Sequence, residues 1–303
     1  MFQASLLPPL GTVSFLGHKR VGRARCKTLH EARSVTENLK LMAVTAHPDD
    51  ESLGMGGTLA RYASENVETC VVCATRGERG RYRDGTEKPD PQAMARIRER
   101  ELRRAAEVLG VTKLFFLDYL DGELDRADPE EAVARIAHHL RAVRPQVVLT
   151  FDQAGAYGHP DHIAICQLTT AAVVQAAHAG TATGHDSPPH AVSKLYYMAW
   201  GAPKWAAYQE AFKTLRSTVD GIERQASPWP DWAITTHIDT RAWWPQVWQA
   251  VSCHESQIVG YETLKDLRAD HHQALWGTQE FYRVFSTVNG GRTPEADVFE
   301  GLR

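Results

Sequence analysis

The sequence lacks a dominant charge, a long apolar run and a paired set of cysteines. Its 34 Lys and Arg residues nearly balance 37 Asp and Glu residues, so the charge favours neither nucleic acid nor an anionic membrane as a partner. No apolar run approaches the roughly 20 residues that span a bilayer, and we expect no membrane span. The five cysteines are odd in number and scattered, which is typical of a reduced, cytoplasmic protein.

The N-terminal segment has an unusual composition. The first 30 residues contain no acidic side chain, and five basic residues cluster between Lys19 and Lys27. Organelle transit peptides have this bias. The segment contains neither a clear apolar stretch nor a clean amphipathic helix, which favours a poorly ordered extension over residues 1–38. We expect the remainder to form one domain over residues 39–290 and a C-terminal tail over residues 291–303.

Short apolar runs alternate with longer stretches of helical periodicity between residues 39 and 177. The predicted strands cover residues 41–46, 67–75, 113–117 and 147–151, and the predicted helices cover 53–64, 93–109, 129–143 and 159–177. Strands separated by helices pair in parallel through right-handed crossovers, which predicts a Rossmann-like α/β sheet with helices on both faces. In such sheets, ligands bind beyond the carboxyl ends of the strands.

The chain beyond residue 179 contains all eight tryptophans. Its patterns predict strands over 194–200, 232–238 and 280–285 and helices over 203–215 and 243–254. We interpret residues 179–290 as completing the sheet and forming the substrate side of the same domain. The tryptophans would serve as core, as a homo-oligomer interface or as a sugar-stacking surface, and the sequence leaves these roles open.

Two segments place His and Asp residues just beyond predicted strands: AHPDDE at residues 46–51 and YGHPDH at residues 157–162. A catalytic zinc takes about three imidazole and carboxylate ligands and keeps one position open for water. His47 and Asp50 lie three residues apart on a tight turn, and His162 would supply the third ligand from a neighbouring strand end. The residue types favour zinc, and they leave iron(II) or another divalent ion open.

The residues beside these ligands predict hydrolysis. Asp49 lies between the two ligands of the first segment and would act as general base on a metal-activated water molecule. His159 precedes His162 by three residues and, as an imidazolium, would stabilise an oxyanion and protonate a leaving amine. Tyr157 would donate a hydrogen bond to the same oxyanion.

Two other patterns suggest different functions and are weaker. The glycines of residues 54–57 lack the G-x-G-x-x-G spacing of a dinucleotide site, so we expect them to permit close helix–sheet packing instead of nicotinamide binding. Cys70 and Cys73 form a C-x-x-C inside a predicted strand, where positions three apart point to opposite faces, and we expect plain buried thiols. The remaining alternative is a non-catalytic binding module on the same fold.

Several motifs resemble those of the LmbE/PIG-L family of zinc-dependent deacetylases. The resemblance covers residues 39–177 in order, with HESQ as a later element. The motifs are AHPDDE at 46–51, TRGERG at 75–80, RERELRRAAEVLG at 98–110, LDYLD at 117–121, GHPDH at 158–162 and HESQ at 254–257.

The resemblance implies a Rossmann-like deacetylase, a carbon–nitrogen hydrolase that acts on an N-acetylated amino sugar or its conjugate. It implies the same zinc ligands and the same roles for Asp49, His159 and Tyr157. It further implies that Arg98, Asp121 and Glu78 contact the polar substrate or brace the pocket. A deacylase of a non-sugar N-acyl amide is the alternative function.

Overall fold

The computed structural model describes residues 38–82, 87–179, 187–212, 216–219, 221–225, 227–258 and 262–303. The predicted N-terminal extension, apart from residue 38, lies outside the described residues.

A seven-stranded, mostly parallel sheet forms the centre of the fold. In chain order its strands are β1 (Lys40–Thr45), β2 (Glu68–Thr75), β3 (Lys113–Tyr119), β4 (Val147–Thr150), β5 (Lys194–Ala199), β8 (Thr236–Asp239) and β9 (Thr278–Ser286), while β6 (Arg216–Val219) and β7 (Ile222–Gln225) form a separate hairpin. The strand order is β3-β2-β1-β4-β5-β9-β8; β9 runs antiparallel to β5 and β8, and the other neighbouring strands pair in parallel. The predicted fold class is therefore confirmed.

Helices cover the sheet in two groups. They are α1 (Asp50–Ser64), α2 (Pro91–Leu109), α3 (Pro129–Val143), α4 (Gly155–Gly158), α5 (Pro160–Ala177), α6 (Ala202–Phe212), α7 (Trp244–Cys253), α8 (Glu262–Lys265) and α9 (Ala269–Trp276). Helices α1, α2 and α7 pack together, and α3 packs on α5. Within the described ranges, no helix is both long and apolar enough to cross a membrane.

The strand order reverses between β1 and β4. The chain moves from β1 outward to β2 and β3, and then returns to place β4 on the other side of β1. Such a switch point opens a crevice at the carboxyl ends of the two central strands, because their connections leave in opposite directions. Both predicted metal segments follow these strands, so the topology brings them together.

The glycines of α1 allow a close approach to the chain around α7. A Cβ atom on Gly57 would lie 2.8 Å from Thr240 Cβ, and one on Gly56 would lie 3.2 Å from Val247 Cγ1. Side chains at these positions would force the two segments apart. The helix–sheet packing that we expected is found at Gly54, where a Cβ atom would lie 2.7 Å from Met198 Sδ on β5, whereas Gly56 and Gly57 face the chain around α7.

The second half of the chain differs in several ways from the sequence-based expectation. The hairpin β6–β7 and helices α8 and α9 were not predicted, and β8 begins only at Thr236 after a 3₁₀ turn. Although histidine is polar, His272 is buried and stacks on the rings of Trp244 and Trp276. Of the tryptophans, only Trp232 is exposed. Trp205 and Trp276 are buried, and the other five are partly exposed.

Residues that we expected to form a C-terminal tail pack against the sheet. Val298 and Phe299 are fully buried. Glu295 accepts hydrogen bonds from Lys194 Nζ at 2.7 Å and from the Tyr196 hydroxyl at 2.8 Å, and it also pairs with Arg283 at 2.7 Å. A buried charge network thus joins the end of the chain to β5 and β9.

The substitution Glu295→Ala is expected to lower the free energy of unfolding by about 3–5 kcal/mol, because it leaves Lys194 buried without its counter-ion. Chemical denaturation measures this change. Arg303→Ala is the control: its pairs with Glu65 and Asp297 are partly exposed, and its loss should cost about 0–1 kcal/mol. Equal effects of the two substitutions would contradict the assigned role of the network.

Candidate active site

The turn after β1 ties His47 to Asp50. One oxygen of the Asp50 carboxylate, Oδ2, accepts hydrogen bonds from the backbone N–H of Ala46 at 3.1 Å and of His47 at 2.8 Å. Burial opposes ionisation of Asp50, but the rings of His162 and His47 and this backbone bond hold its pKa well below the usual range. The carboxylate is therefore charged and fixed at the start of α1, where the helix dipole also favours it.

The segment after β4 brings a second histidine to the same place. His162 lies in the first turns of α5 and is almost fully buried. Its ring stacks on Phe151 with a centroid separation of 3.9 Å and an interplanar angle of 13°. The Nδ1 atom of His162 has no hydrogen-bond partner among the described residues. Stacking therefore orients this ring, with Nε2 facing His47 and Asp50.

The three predicted ligands meet at one point. His47 Nδ1 lies 3.2 Å from His162 Nε2, His162 Nε2 lies 3.4 Å from Asp50 Oδ1, and His47 Nδ1 lies 3.8 Å from Asp50 Oδ2. A tetrahedral zinc with ligand bonds of about 2.1 Å separates its ligand atoms by about 3.4 Å. The donor types fit such an ion, and the two distances to Asp50 end on different oxygens of its carboxylate, Oδ1 and Oδ2. The imidazole nitrogens of His47, His159 and His162 also lie within 4.8 Å of one another.

Two carboxylates face the other nitrogen of His47. Its Nε2 lies 3.1 Å from Asp121 Oδ1 and 3.0 Å from Asp161 Oδ2. Burial alone would lower the pKa of His47, but hydrogen bonds to Asp121 and Asp161 raise it well above the ordinary value. The two carboxylates favour a proton on Nε2, so Nδ1, which faces His162 and Asp50, is the nitrogen that would be deprotonated to bind a metal.

Asp49 has an uncommon backbone conformation. Its φ is 120°, in a region that residues with a Cβ rarely adopt. The Asp49 carboxylate lies 3.3 Å from Arg98 Nη2, and its backbone N–H donates to Glu51 at 3.0 Å. Burial raises the pKa of the Asp49 carboxyl above its ordinary value, while the charge of Arg98 opposes the shift. The carboxylate thus stands beside the ligand turn and is held from two sides.

His159 and Tyr157 form the more exposed side of the cluster. Both are half-buried, and the His159 ring lies 4.8 Å from that of His47 and 4.9 Å from that of His162. The Nδ1 atom of His159 accepts a hydrogen bond from the Asp161 backbone N–H at 3.2 Å. Burial, followed by the charges of the two neighbouring histidines, lowers the pKa of His159 to about 4. This geometry favours a neutral ring with its proton on Nε2.

The resemblance implied that Arg98, Asp121 and Glu78 contact the substrate or brace the pocket. In the structure, all three residues form hydrogen bonds with other protein groups. Arg98 is buried, and it donates to the Gly77 carbonyl at 3.0 Å and to the Pro48 carbonyl. Asp121 accepts from the Arg79 backbone N–H at 3.0 Å, and Glu78 accepts from the Asp121 backbone N–H at 3.2 Å. These bonds favour the bracing role for all three residues.

Asp161 belongs to the GHPDH motif, but we predicted no role for it from the sequence. The Asp161 carboxylate is fully buried and accepts from the backbone N–H of Gly122 at 2.7 Å and of Leu124 at 3.2 Å, besides facing His47. An acidic residue between two candidate histidines was the available signal. Its target lies 114 residues away in the chain, which no local pattern shows.

The fold and the site define a Rossmann-like protein with a buried His/Asp cluster at the switch point of its sheet. The PIG-L family, described as GlcNAc-PI de-N-acetylase, matches residues 42–173. A 1D-myo-inositol 2-acetamido-2-deoxy-alpha-D-glucopyranoside deacetylase from Kineococcus radiotolerans is 34% identical over 87% of this chain and 83% of its own length. The chain belongs to the PIG-L family, as the motifs indicated.

Two further comparisons agree with this assignment. A mycothiol S-conjugate amidase from Streptomyces coelicolor is 29% identical over 89% of this chain and 99% of its own length. The structure of an N,N'-diacetylchitobiose deacetylase from Pyrococcus horikoshii superposes with a TM-score of 0.61 at 20% identity, covering 82% of this chain and 85% of that one. The latter similarity shows the shared fold.

Proposed function

We propose that this protein is a zinc-dependent deacetylase that hydrolyses the N-acetyl group of an amino-sugar conjugate. The observation that supports it most directly is the triangle of His47, Asp50 and His162, with donor atoms 3.2–3.8 Å apart and Asp49 beside it. The class of substrate comes from the family description and from the deacetylase of K. radiotolerans, whose name specifies an N-acetylated glucosamine linked to inositol.

The proposed metal site uses His47 Nδ1, His162 Nε2 and the Asp50 carboxylate. When bound there, zinc would act as a Lewis acid towards the acetyl carbonyl and increase the acidity of a water molecule. Asp121 and Asp161 hold the His47 ring through Nε2, so the ring is oriented with Nδ1 facing the proposed site.

In the proposed reaction, Asp49 takes a proton from the water whose oxygen attacks the acetyl carbonyl carbon. The C–N bond then breaks, the sugar amine receives a proton, and acetate leaves. The hydroxyl of Tyr157 and the Nε2–H of His159 donate hydrogen bonds to the developing oxyanion.

The hydrogen bond at His159 supports a different assignment of the final proton transfer from the one that we expected. We expected an imidazolium at His159 to protonate the amine. An imidazolium has no acceptor atom, whereas Nδ1 of His159 faces the N–H of Asp161. We therefore assign proton return to Asp49, and we assign hydrogen-bond donation to His159.

Release of a primary amine and of acetate tests the proposal. The zinc-loaded protein would be incubated with 2-acetamido-2-deoxy-glucopyranosyl inositol, with N,N'-diacetylchitobiose and with an N-acetylated amino acid as a non-sugar amide. Amine release from a sugar conjugate alone is the expected result. Turnover of the amino acid alone would support the alternative deacylase, and no turnover of any N-acyl compound would contradict the proposal.

The substitution Asp161→Asn is expected to weaken zinc affinity by about 10–100-fold, because the His47 ring loses one carboxylate that orients it. Competition with a fluorescent chelator measures the affinity. Asp152→Asn is a suitable control, since Asp152 is buried and hydrogen-bonded to Ala156 and Trp229 outside the ligand cluster. Unchanged affinity in Asp161→Asn would refute the orienting role.

A further inference from the structure

A buried Glu–His pair lies behind the proposed site and takes no part in the reaction described above. His254 Nε2 lies 2.9 Å from Glu51 Oε1, and both side chains are fully buried. His254 is the first residue of the HESQ motif, which the proposed metal site does not use. The two residues are 203 positions apart, so the contact joins the start of α1 to the end of α7.

The second oxygen of Glu51 connects this pair to Asp49. Glu51 Oε2 accepts the backbone N–H of Asp49 at 3.0 Å, while Oε1 also accepts the hydroxyl of Ser52. Both carboxylate oxygens thus have donors, and one of those donors belongs to the proposed base. The Asp49 backbone is the strained element of the turn, with a φ of 120°.

The segment that follows His254 is held in place by contacts that do not involve Glu51. Two residues after His254, the backbone N–H and the hydroxyl of Ser256 donate to Glu101 at 2.7 and 2.6 Å. Glu101 is itself buried on α2, the helix that also carries Arg98. The position of His254 is therefore fixed by the body of the fold.

We infer that Glu51 and His254 are positioning residues that hold the Asp49 backbone at positive φ and so direct its carboxylate towards the reacting water. This inference rests on the role proposed for Asp49. Arg98 contacts the Asp49 carboxylate, and Glu51 holds its backbone, so the side chain is constrained at both ends. A role in packing alone would need no polar pair, because apolar residues of similar size fill a core equally well.

The experiment compares Glu51→Leu, Glu51→Gln and His254→Ala with the wild type in the zinc-loaded protein. Leucine removes the acceptor for the Asp49 N–H, and alanine removes the donor that orients Glu51. Both substitutions should lower kcat by on the order of 100-fold, as expected for a misplaced catalytic group, with KM and zinc content unchanged. Glutamine keeps one carbonyl oxygen for Asp49, so Glu51→Gln should retain most of the activity.

A double-mutant cycle separates positioning from general damage. If His254 acts through Asp49, His254→Ala should have little further effect in an Asp49→Asn background. The same fold loss in both backgrounds would overturn the inference. His190→Ala is the matched control: this buried histidine hydrogen-bonds to the Pro145 carbonyl at the opposite end of the sheet, and its loss should leave kcat unchanged.

Crystal structures of the variants give a readout that does not require turnover. In Glu51→Leu and His254→Ala, Asp49 should leave its φ near 120°, and retention of that φ would overturn the inference. Should Glu51→Leu fail to fold, His254→Ala decides by the same criterion. If the wild type deacetylates none of the substrates, the proposed function is wrong, but the inference on Glu51 and His254 is not yet decided. The crystal structures of the variants still test whether these two residues hold the Asp49 backbone at positive φ.

Discussion

Replacing Asp49 with asparagine is expected to lower kcat by about 10²–10⁴-fold, the usual contribution of a general base, while bound zinc is retained. Asparagine has nearly the same shape and tolerates positive φ, so the turn at φ 120° should persist. The amide cannot take a proton from water. Steady-state kinetics and elemental analysis of the same preparation measure the two quantities.

A matched control for this substitution exists on β3. Asp118 also has positive φ, at 59°, and its carboxylate pairs with Arg76 at 2.6 Å, but it is exposed and outside the cluster. Asp118→Asn should therefore leave kcat unchanged. Near wild-type turnover in Asp49→Asn would exclude the proposed mechanism, whereas loss of zinc from that variant would place Asp49 among the ligands.

The substitution His162→Ala should remove both zinc and activity. His162 Nε2 is one of three donor atoms in the triangle, and its loss leaves only His47 and Asp50. The fall in zinc affinity should exceed the about 10–100-fold expected for Asp161→Asn, since an orienting partner contributes less than a ligand. Elemental analysis after dialysis measures the remaining metal.

His139→Ala controls for the loss of a stacked histidine. The His139 ring stacks on Phe115 at 4.5 Å, much as His162 stacks on Phe151, but it belongs to α3 and lies outside the ligand triangle. Its removal should leave zinc content at the wild-type level. A full complement of zinc in His162→Ala would refute the proposed ligand set.

The first half of the fold could be predicted because its signals are local. Strands β1, β2 and β4 are apolar runs buried on both faces, and α2 and α3 each begin with an aspartate cap followed by proline. Gly110 ends α2 in the left-handed conformation, as its position after the apolar stripe indicates. Each of these elements is decided by neighbours within a few residues.

The second half was predicted less well because its pairing is not local. β9 lies between β5 and β8 and runs antiparallel to both, although β8 precedes it in the chain by almost 40 residues. His272 is a polar residue in the short helix α9, and nothing in its local sequence predicts burial. It is buried because it stacks on Trp244 and Trp276. Such contacts follow from the packed arrangement and leave no periodic pattern.

The sequence by itself determined the ligand candidates His47, Asp50 and His162, because each lies in a short motif directly after a predicted strand. Tertiary structure decided how those side chains are held. Asp161 and Asp121 reach His47 from elsewhere in the chain, and His254 reaches Glu51 across 203 residues. Hydrogen bonds depend on distance in space, and only the folded chain brings these donors and acceptors together.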